Sequence, residues 1–135
     1  MKAETERMLH EELTEGVLAA CFEVSNELGS GFVESVYEKA LLIALRDKGI
    51  AAKAQVPLKV VFRGEVVGDF LADILVADKL ILELKAVKTL LPEHQAQVVN
   101  YLKSTGIQVG LLINFGNPRV EYKRLYNDSA CTTER

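Results

Sequence analysis

A stretch of alternating apolar residues, DILVADKLILELKAV from Asp73 to Val87, limits the possible folds because strand register decides which side chains face the core. If residues 77–79 form a three-residue turn between two antiparallel strands, Asp73 lies opposite Glu83. One face of this hairpin is then entirely apolar and carries Ala72, Ile74, Val76, Leu80, Leu82, Leu84 and Ala86. The opposite face carries Leu71, Asp73, Leu75, Ile81, Glu83 and Lys85. A slip of one residue would move Asp73 into the apolar face, so the pattern predicts the three-residue turn.

The three charges of this hairpin fall on one face, and two of them have the same sign. Carboxylates on opposed strand positions lie about 5 Å apart at Cβ and repel each other, so a cation is expected between Asp73 and Glu83. Lys85 could partly neutralise them, and a divalent cation that prefers oxygen ligands would do so better. A surface ion pair of Lys85 with either acid is an equally good explanation from these residues alone.

The remaining pattern predicts an α/β fold with helices before, between and beside the strands. Apolar spacing predicts helices over residues 5–28 and 33–48, and Pro92 is placed to begin a third helix that extends to residue 104. Strands are predicted over residues 54–62, 66–76 and 80–87, over the apolar run IQVGLLINF, and over residues 120–126 at a sheet edge. The predicted order is ααβββαβ(β), a mixed sheet flanked by helices.

Composition indicates one soluble domain. The chain has 135 residues, 49% of them hydrophobic, with a formal net charge of -3, which argues against binding long duplex DNA by charge alone. We expect a single domain over residues 1–126 and a flexible tail over residues 127–135. No apolar run is long enough to cross a membrane, and Cys21 and Cys131 form no disulfide framework, so we predict no membrane association and a cytoplasmic location.

An acid on one strand, Glu-x-Lys on the next and a following helix resemble the PD-(D/E)xK nuclease superfamily, whose core is αβββαβ. The segment GFVESVY, from Gly31 to Tyr37, is also similar to the small proteins named for a GxxExxY motif. Further stretches similar to that family are NELGSGFVESVYEKAL, QVPLKVVFRGEVVGDFLADILV, LELKAV, HQAQVVNYLK and GLLINFG. Together they extend over roughly residues 20 to 116.

The resemblance implies a role for each residue of the motif. Asp73 and Glu83 would be ligands of Mg²⁺ or Mn²⁺, and Lys85 would be the catalytic lysine. The carbonyl of Leu84 and the carboxylate of Glu34 would be further metal ligands. Gln97 and Tyr101 resemble the QxxxY element of RecB-like nucleases, which borders the active site, and their spacing places both on one helix face.

Each of these residues has a local alternative. With Gly31 as N-cap, Glu34 would occupy the N3 position and serve as a capping residue. Gln97 and Tyr101 would serve equally as a polar rim on a helix that covers the sheet. We expect Tyr37 to be a core aromatic with a hydrogen-bonded hydroxyl, and His94 to be a surface residue rather than a ligand.

The resemblance therefore implies a metal-dependent nuclease that hydrolyses phosphodiester bonds of nucleic acid, with DNA as the preferred substrate. A single small domain leaves little room for an element that reads DNA, so we also expect a homodimer or a partner protein. One alternative is a non-catalytic module that binds nucleic acid or protein and retains the nuclease fold. Another is a structural interaction domain in which the charges form only an ion-pair network.

Overall fold

The computed structural model describes residues 10–127 and has the predicted order of elements. Two helices come first, and five strands follow with one helix among them. The elements are α1 (Glu11–Leu28), α2 (Glu34–Asp47), β1 (Ala52–Phe62), β2 (Glu65–Val76), β3 (Leu80–Lys85), α3 (Pro92–Thr105), β4 (Val109–Asn114) and β5 (Glu121–Tyr126). The predicted α/β class and the order ααβββαβ(β) are confirmed.

The five strands form one mixed sheet in the order β1-β2-β3-β4-β5. Strands β3 and β4 are parallel, and the other neighbours are antiparallel. Helix α3 therefore connects two parallel neighbours, as a βαβ unit does. Strand β4 is buried at every position, and β5 lies at an edge, as the sequence predicts.

Helices cover both faces of the sheet and divide the core into two clusters. On one face, α1 and α2 pack with Ile74, Leu82 and their neighbours. On the other face, Val98 and Leu102 of α3 pack with Leu75 and Ile81. A sheet covered on both faces explains the nearly continuous apolar run of β4.

The predicted first helix and the predicted tail are only partly within the described residues. Residues 5–9 of the predicted first helix lie outside the described residues, and so do residues 128–135 of the predicted tail. Asn127, with which that tail was expected to begin, is buried. Its side-chain amide donates hydrogen bonds to the carbonyls of Leu102 at 2.9 Å and Ile107 at 3.2 Å.

The predicted register of the β2–β3 hairpin is confirmed. Val76 lies opposite Leu80, and the ladder continues through the pairs Leu75–Ile81 and Ile74–Leu82. The three-residue turn at 77–79 follows from this pairing. Residues Ala77 and Asp78 have positive φ angles of 52° and 58°, which a tight turn of this kind requires.

The expected placement of Ala72 on the same face as Ile74 is wrong. Ala72 packs with Leu75 and Ile81 in the cluster beneath α3, whereas Ile74 packs beneath α1 and α2. The strand therefore changes face between these two residues, at Asp73. On the adjacent strand, Gln55 is left out of the paired positions and has a φ of 52°. This irregularity interrupts the alternation and sets Asp73 apart from the apolar residues beside it.

Candidate active site

The candidate site lies where strands β2 and β3 separate, beyond Ile74 and Leu82, and we call this region the fork. Beyond the pair Ile74–Leu82, two side-chain contacts replace the backbone ladder. The carboxylate of Asp73 accepts a hydrogen bond from the N–H of Leu84 at 2.8 Å. The carboxylate of Glu83 accepts a weaker one from the N–H of Asp73 at 3.4 Å. The two acids that the sequence placed opposite each other therefore bridge the fork between the strands.

Glu83 is the electrostatically perturbed member of the pair. Its side chain is only 6% exposed, and this burial raises the pKa of its carboxyl group to about 7. The negative charges of Asp73 and Glu34 raise the pKa further, while the hydrogen bond from Asp73 and the charge of Lys85 lower it. A cation placed between these carboxylates would reverse the effect and keep Glu83 ionised at neutral pH.

Lys85 ends strand β3 and is half-buried. Its backbone carbonyl accepts a hydrogen bond from the N–H of Phe115 at 2.8 Å, which fixes the end of the strand against β4. The ion pairs within residues 10–127 join Arg46 to Asp47, Lys48 to Glu23 and Arg124 to Glu11. None of them involves Lys85, Asp73 or Glu83, so the interpretation of these charges as direct surface ion pairs is not supported.

Glu34 lies at the rim of the site, and its predicted capping position is wrong. Helix α2 begins at Glu34 with Val33 as N-cap, so Glu34 occupies the first helical position instead of N3. The N-cap makes no side-chain hydrogen bond, and Glu34 is exposed. A cleft of about 220 Å³ opens beside it and is lined by Glu34, Ser35, Glu38, Gln55, Asp73 and Leu84.

Helix α3 brings Tyr101 and Gln97 to the opposite side of the fork. Burial raises the pKa of the Tyr101 phenol, and the negative charges of Glu83 and Asp73 raise it further. A hydrogen bond with the side chain of Gln97 acts in the opposite direction. The ring of Tyr101 also stacks on Phe70 of β2, with ring centroids 3.7 Å apart.

The structure separates two further residues from the site. Tyr37 is buried and stacks on Phe115, and its hydroxyl donates a 2.6 Å hydrogen bond to the carbonyl of Gly29, which confirms the packing role. His94 accepts a hydrogen bond through Nδ1 from the N–H of Leu91 at 3.0 Å. It therefore caps the start of α3 through Nδ1.

Sequence reasoning missed three residues around the site. Gln55 and Glu38 line the cleft, and Phe70 supports Tyr101. Glu38 follows Glu34 by one helical turn, which was a usable signal for a shared face. Gln55 and Phe70 belong to ordinary strand patterns, and nothing in their spacing distinguishes them.

A model of the PD-(D/E)XK nuclease superfamily matches residues 11–125. The chain belongs to this superfamily. No curated protein matches this member of the superfamily. The narrower resemblance to proteins with a GxxExxY motif stays a prediction.

Two solved structures share the fold of this PD-(D/E)XK nuclease family member. The crystal structure of SSO0001 has a TM-score of 0.53 and 19% identity, and the match covers 69% of this chain and 50% of that one. An alkaline exonuclease from Laribacter hongkongensis has a TM-score of 0.52 and 16% identity, with 74% of this chain and 59% of that one covered. The chain thus spans about half to three fifths of these proteins, and at such identities the likeness concerns the fold alone.

The donor atoms of the site suit a hard cation, and nucleases of the superfamily generally use divalent metal ions. Within residues 10–127, no three His, Cys, Asp or Glu side chains form a group that could hold a metal ion. The oxygen atoms that could serve as donors at the fork are those of the Asp73 and Glu83 carboxylates and the carbonyl of Leu84, which leaves an extended strand on the same side as its N–H. Mg²⁺ is commonly held by one or two carboxylates and keeps several waters, so these residues fit such an ion.

Proposed function

We propose that this chain is a metal-dependent nuclease that hydrolyses phosphodiester bonds, with DNA as its substrate. The observation that carries the proposal is the pair of acids at the fork. A buried carboxylate whose pKa is raised to about 7 lies beside a second carboxylate, with Lys85 two residues farther along the strand. Such an arrangement is unfavourable in a purely structural element, because it places like charges together at low exposure.

Asp73, Glu83 and the carbonyl of Leu84 would hold Mg²⁺ or Mn²⁺. Glu34 would be a further ligand, and its exposed position on the first turn of α2 allows its side chain to turn towards the fork. When bound, such an ion supplies polarisation of a phosphate oxygen and a more acidic water. The open side of the fork leaves room for both.

Lys85 would orient the attacking water or donate to the phosphate oxygens as negative charge builds on them. The Tyr101 phenol, whose pKa is raised, stays protonated at neutral pH and can donate a hydrogen bond. The side chain of Gln97 acts on that phenol to lower its pKa, and the ring of Phe70 stacks on the ring of Tyr101. Together they would fix Lys85 or the scissile phosphate in position.

The substrate and partners follow from the same proposal. Superfamily membership implies that the substrate is a nucleic acid. A formal net charge of -3 implies few phosphate contacts per chain, which favours a homodimer or a partner protein. No helix within residues 10–127 is long and apolar enough to cross a membrane. The cytoplasmic location stays a prediction.

The test is cleavage of labelled single-stranded, duplex, flapped and RNA substrates with Mg²⁺ or Mn²⁺. We expect Lys85→Ala and Asp73→Asn to lower kcat by at least about 100-fold, because each removes a group that acts on transition-state charge. Lys79→Ala, which removes an exposed lysine from the turn at the other end of the β2–β3 ladder, is the matched control and should keep full activity. Equal cleavage by the unaltered protein and by Lys85→Ala would attribute the activity to a contaminant and refute the proposal.

A second candidate is a non-catalytic module that binds nucleic acid through the same surface. The finding that favours it is that residues 10–127 present two clustered carboxylates instead of three at a candidate metal centre. Calorimetry separates the two functions. The nuclease requires binding of Mn²⁺ that Asp73→Asn abolishes, whereas the binding module requires affinity for DNA that is insensitive to Mn²⁺.

A further inference from the structure

Gln55 occupies a strained backbone position directly across from Asp73. Strands β1 and β2 pair through Ala54–Ile74 and Val56–Ala72, so Gln55 and Asp73 occupy the intervening, unpaired positions. The φ of Gln55 is 52°, in the left-handed region that glycine enters freely and a residue with a long side chain does not. Strain of this kind accumulates at functional sites, where the surrounding structure maintains it.

The side chain of Gln55 reaches into the cleft beside the two acids. Its Nε2 donates a 2.6 Å hydrogen bond to Oε1 of Glu38 on α2. This contact uses one of the two hydrogens of the amide and fixes the plane of the group. No hydrogen bond within residues 10–127 uses the second hydrogen, and the cleft of about 220 Å³ extends from it to Asp73 and Leu84.

The negative charge of the cleft indicates what the second amide hydrogen of Gln55 could bind. Glu34, Glu38 and Asp73 are acidic, so the wall of the cleft would repel a phosphate group except where a cation or a neutral donor stands. Gln55 is a neutral donor on that wall, and it is held by the carboxylate nearest to it. Gln55 is exposed, and its neutral amide can donate to a phosphate oxygen from that position.

We propose that Gln55 is a substrate-contacting residue whose amide donates a hydrogen bond to a phosphate oxygen of the nucleic-acid strand beside Asp73, and that Glu38 is its positioning residue. This inference rests on the proposed nuclease function. The nucleic-acid strand would then run from the fork between β2 and β3 along the face of β1 that lies next to α2. It also gives a reason for a glutamine at a backbone position where glycine would be less strained.

The experiment separates backbone strain from substrate contact by the substitution Gln55→Gly. Glycine removes the side chain and relieves the strained φ, so we expect the melting temperature to stay equal or rise. Binding is measured by fluorescence anisotropy of a labelled DNA strand with Mn²⁺, in a Lys85→Ala background that prevents cleavage. We expect Kd to weaken about tenfold, the usual consequence of losing one hydrogen bond to a charged group.

Asp78→Gly is the matched control, because Asp78 also has a positive φ, of 58°, but lies in the turn at the far end of the β2–β3 ladder. It should raise stability similarly and leave Kd unchanged. Gln55→Glu is a second variant of the same shape, and it should weaken binding more than Gln55→Gly by repelling phosphate. Glu38→Ala removes the acceptor that holds the amide of Gln55. In the active enzyme it should raise KM in the unaltered protein relative to its effect in the Gln55→Gly background, with kcat within about twofold in both, because Glu38 acts through Gln55.

Two outcomes overturn the inference in distinguishable ways. If the unaltered protein binds and cleaves DNA while Gln55→Gly and Gln55→Glu bind it equally well, the assignment of Gln55 fails and the nuclease function stands. If the unaltered protein neither binds nor cleaves any substrate of the cleavage panel, the proposed function fails, and the assignment of Gln55 fails with it.

Discussion

Among the residues of the site, Glu83 combines the greatest burial with the strongest like-charge neighbourhood. Its carboxyl group lies at the end of an apolar strand and beside Asp73, and a single weak hydrogen bond from a backbone N–H only partly compensates it. Cys21, by contrast, is buried among apolar residues of α1, where burial raises the pKa of its thiol to about 12 and leaves it unreactive. Burial raises the pKa of both Glu83 and Cys21, but only Glu83 has charged neighbours that a bound cation could neutralise.

The raised pKa of Glu83 predicts how stability depends on pH in the absence of metal. In the unfolded chain the pKa is about 4.3, and in the folded protein it is about 7. Folding therefore favours the protonated group, so this contribution is complete below about pH 4 and is lost as the pH rises through about 7. Urea unfolding in chelator should show Glu83→Gln more stable than the unaltered protein at pH 8 by roughly 3–4 kcal/mol, with the difference vanishing near pH 4.

Glu27→Gln, which alters an exposed acid on α1, is the control for this measurement and should change stability little at either pH. Added Mn²⁺ should stabilise the unaltered protein at pH 8 and leave Glu83→Gln almost unaffected. A Glu83→Gln difference that is the same at pH 4 and pH 8 would contradict the assignment of the shifted pKa to this residue.

At the scale of elements, the chain just beyond strand β3 is held by a side chain, after the backbone ladder to β4 ends at Lys85. The strand was expected to extend to Val87 but ends at Lys85. Asn114, which is fully buried at the end of β4, accepts a 3.0 Å hydrogen bond from the N–H of Val87 and donates a 2.8 Å one to its carbonyl. This pair of bonds satisfies the backbone two residues beyond Lys85 and fixes the direction in which the chain leaves towards α3.

The close approach of Gly116 to Val87 provides a test of this anchor. A Cβ atom at Gly116 would collide with the backbone of Val87, which cannot move without breaking its bonds to Asn114. Gly116→Ala should therefore lower the free energy of unfolding by about 1–3 kcal/mol and reduce cleavage by displacing Lys85. Urea unfolding and the cleavage assay measure the two effects.

Gly68→Ala is the matched control, because a Cβ atom at Gly68 would meet no atom within 4 Å. We expect its stability to change by less than about 0.5 kcal/mol, or to increase slightly, as for an exposed strand position. If Gly116→Ala were as stable and as active as Gly68→Ala, the anchor would have no role in positioning Lys85.

At the scale of the whole molecule, the site is small and acidic, and the chain as a whole carries a formal net charge of -3. Arg124, one of the few cations on β5, is paired with Glu11 of α1 at 3.0 Å. The tip of the β1–β2 hairpin exposes Val61, Phe62, Val66 and Val67, each more than half accessible to solvent. Exposed apolar residues concentrated in one region are typical of contact surfaces, and the homodimer or partner protein stays a prediction.

These charges predict a shallow dependence of DNA binding on salt. Each phosphate that a protein neutralises contributes about -0.9 to the slope of log K against log salt, and in this chain 19 acidic residues outnumber the 16 Lys and Arg residues that could contact phosphate. We expect a slope no steeper than about -3 for duplex DNA with Mn²⁺, and almost no binding after chelation. Fluorescence anisotropy across a salt titration measures both. A steep slope would show that cations from a second subunit or another surface contribute to binding.

The pattern of residues sufficed for those features that depend on local alternation. The apolar face of DILVADKLILELKAV predicts the three-residue turn at 77–79, because a slip of one residue would place a charge in the core. The structure has this register. A nearly continuous apolar run predicted the covered strand β4, and the position of Pro92 predicted the start of α3. Burial of apolar side chains is the strongest driving force in folding, so the features that it decides are those that can be read from the sequence.

Only the tertiary structure showed where side chains stop alternating between the two faces of the sheet and which residues meet around the fork. The strained φ of Gln55, the change of face between Ala72 and Ile74, and the contact of Phe70 with Tyr101 all depend on how β1 and α3 pack around the fork. The start of α2 at Glu34 depends on the loop before it, which Tyr37 holds through Gly29. Each of these features depends on contacts between residues distant in sequence, and a pattern of neighbouring residues contains no record of such contacts.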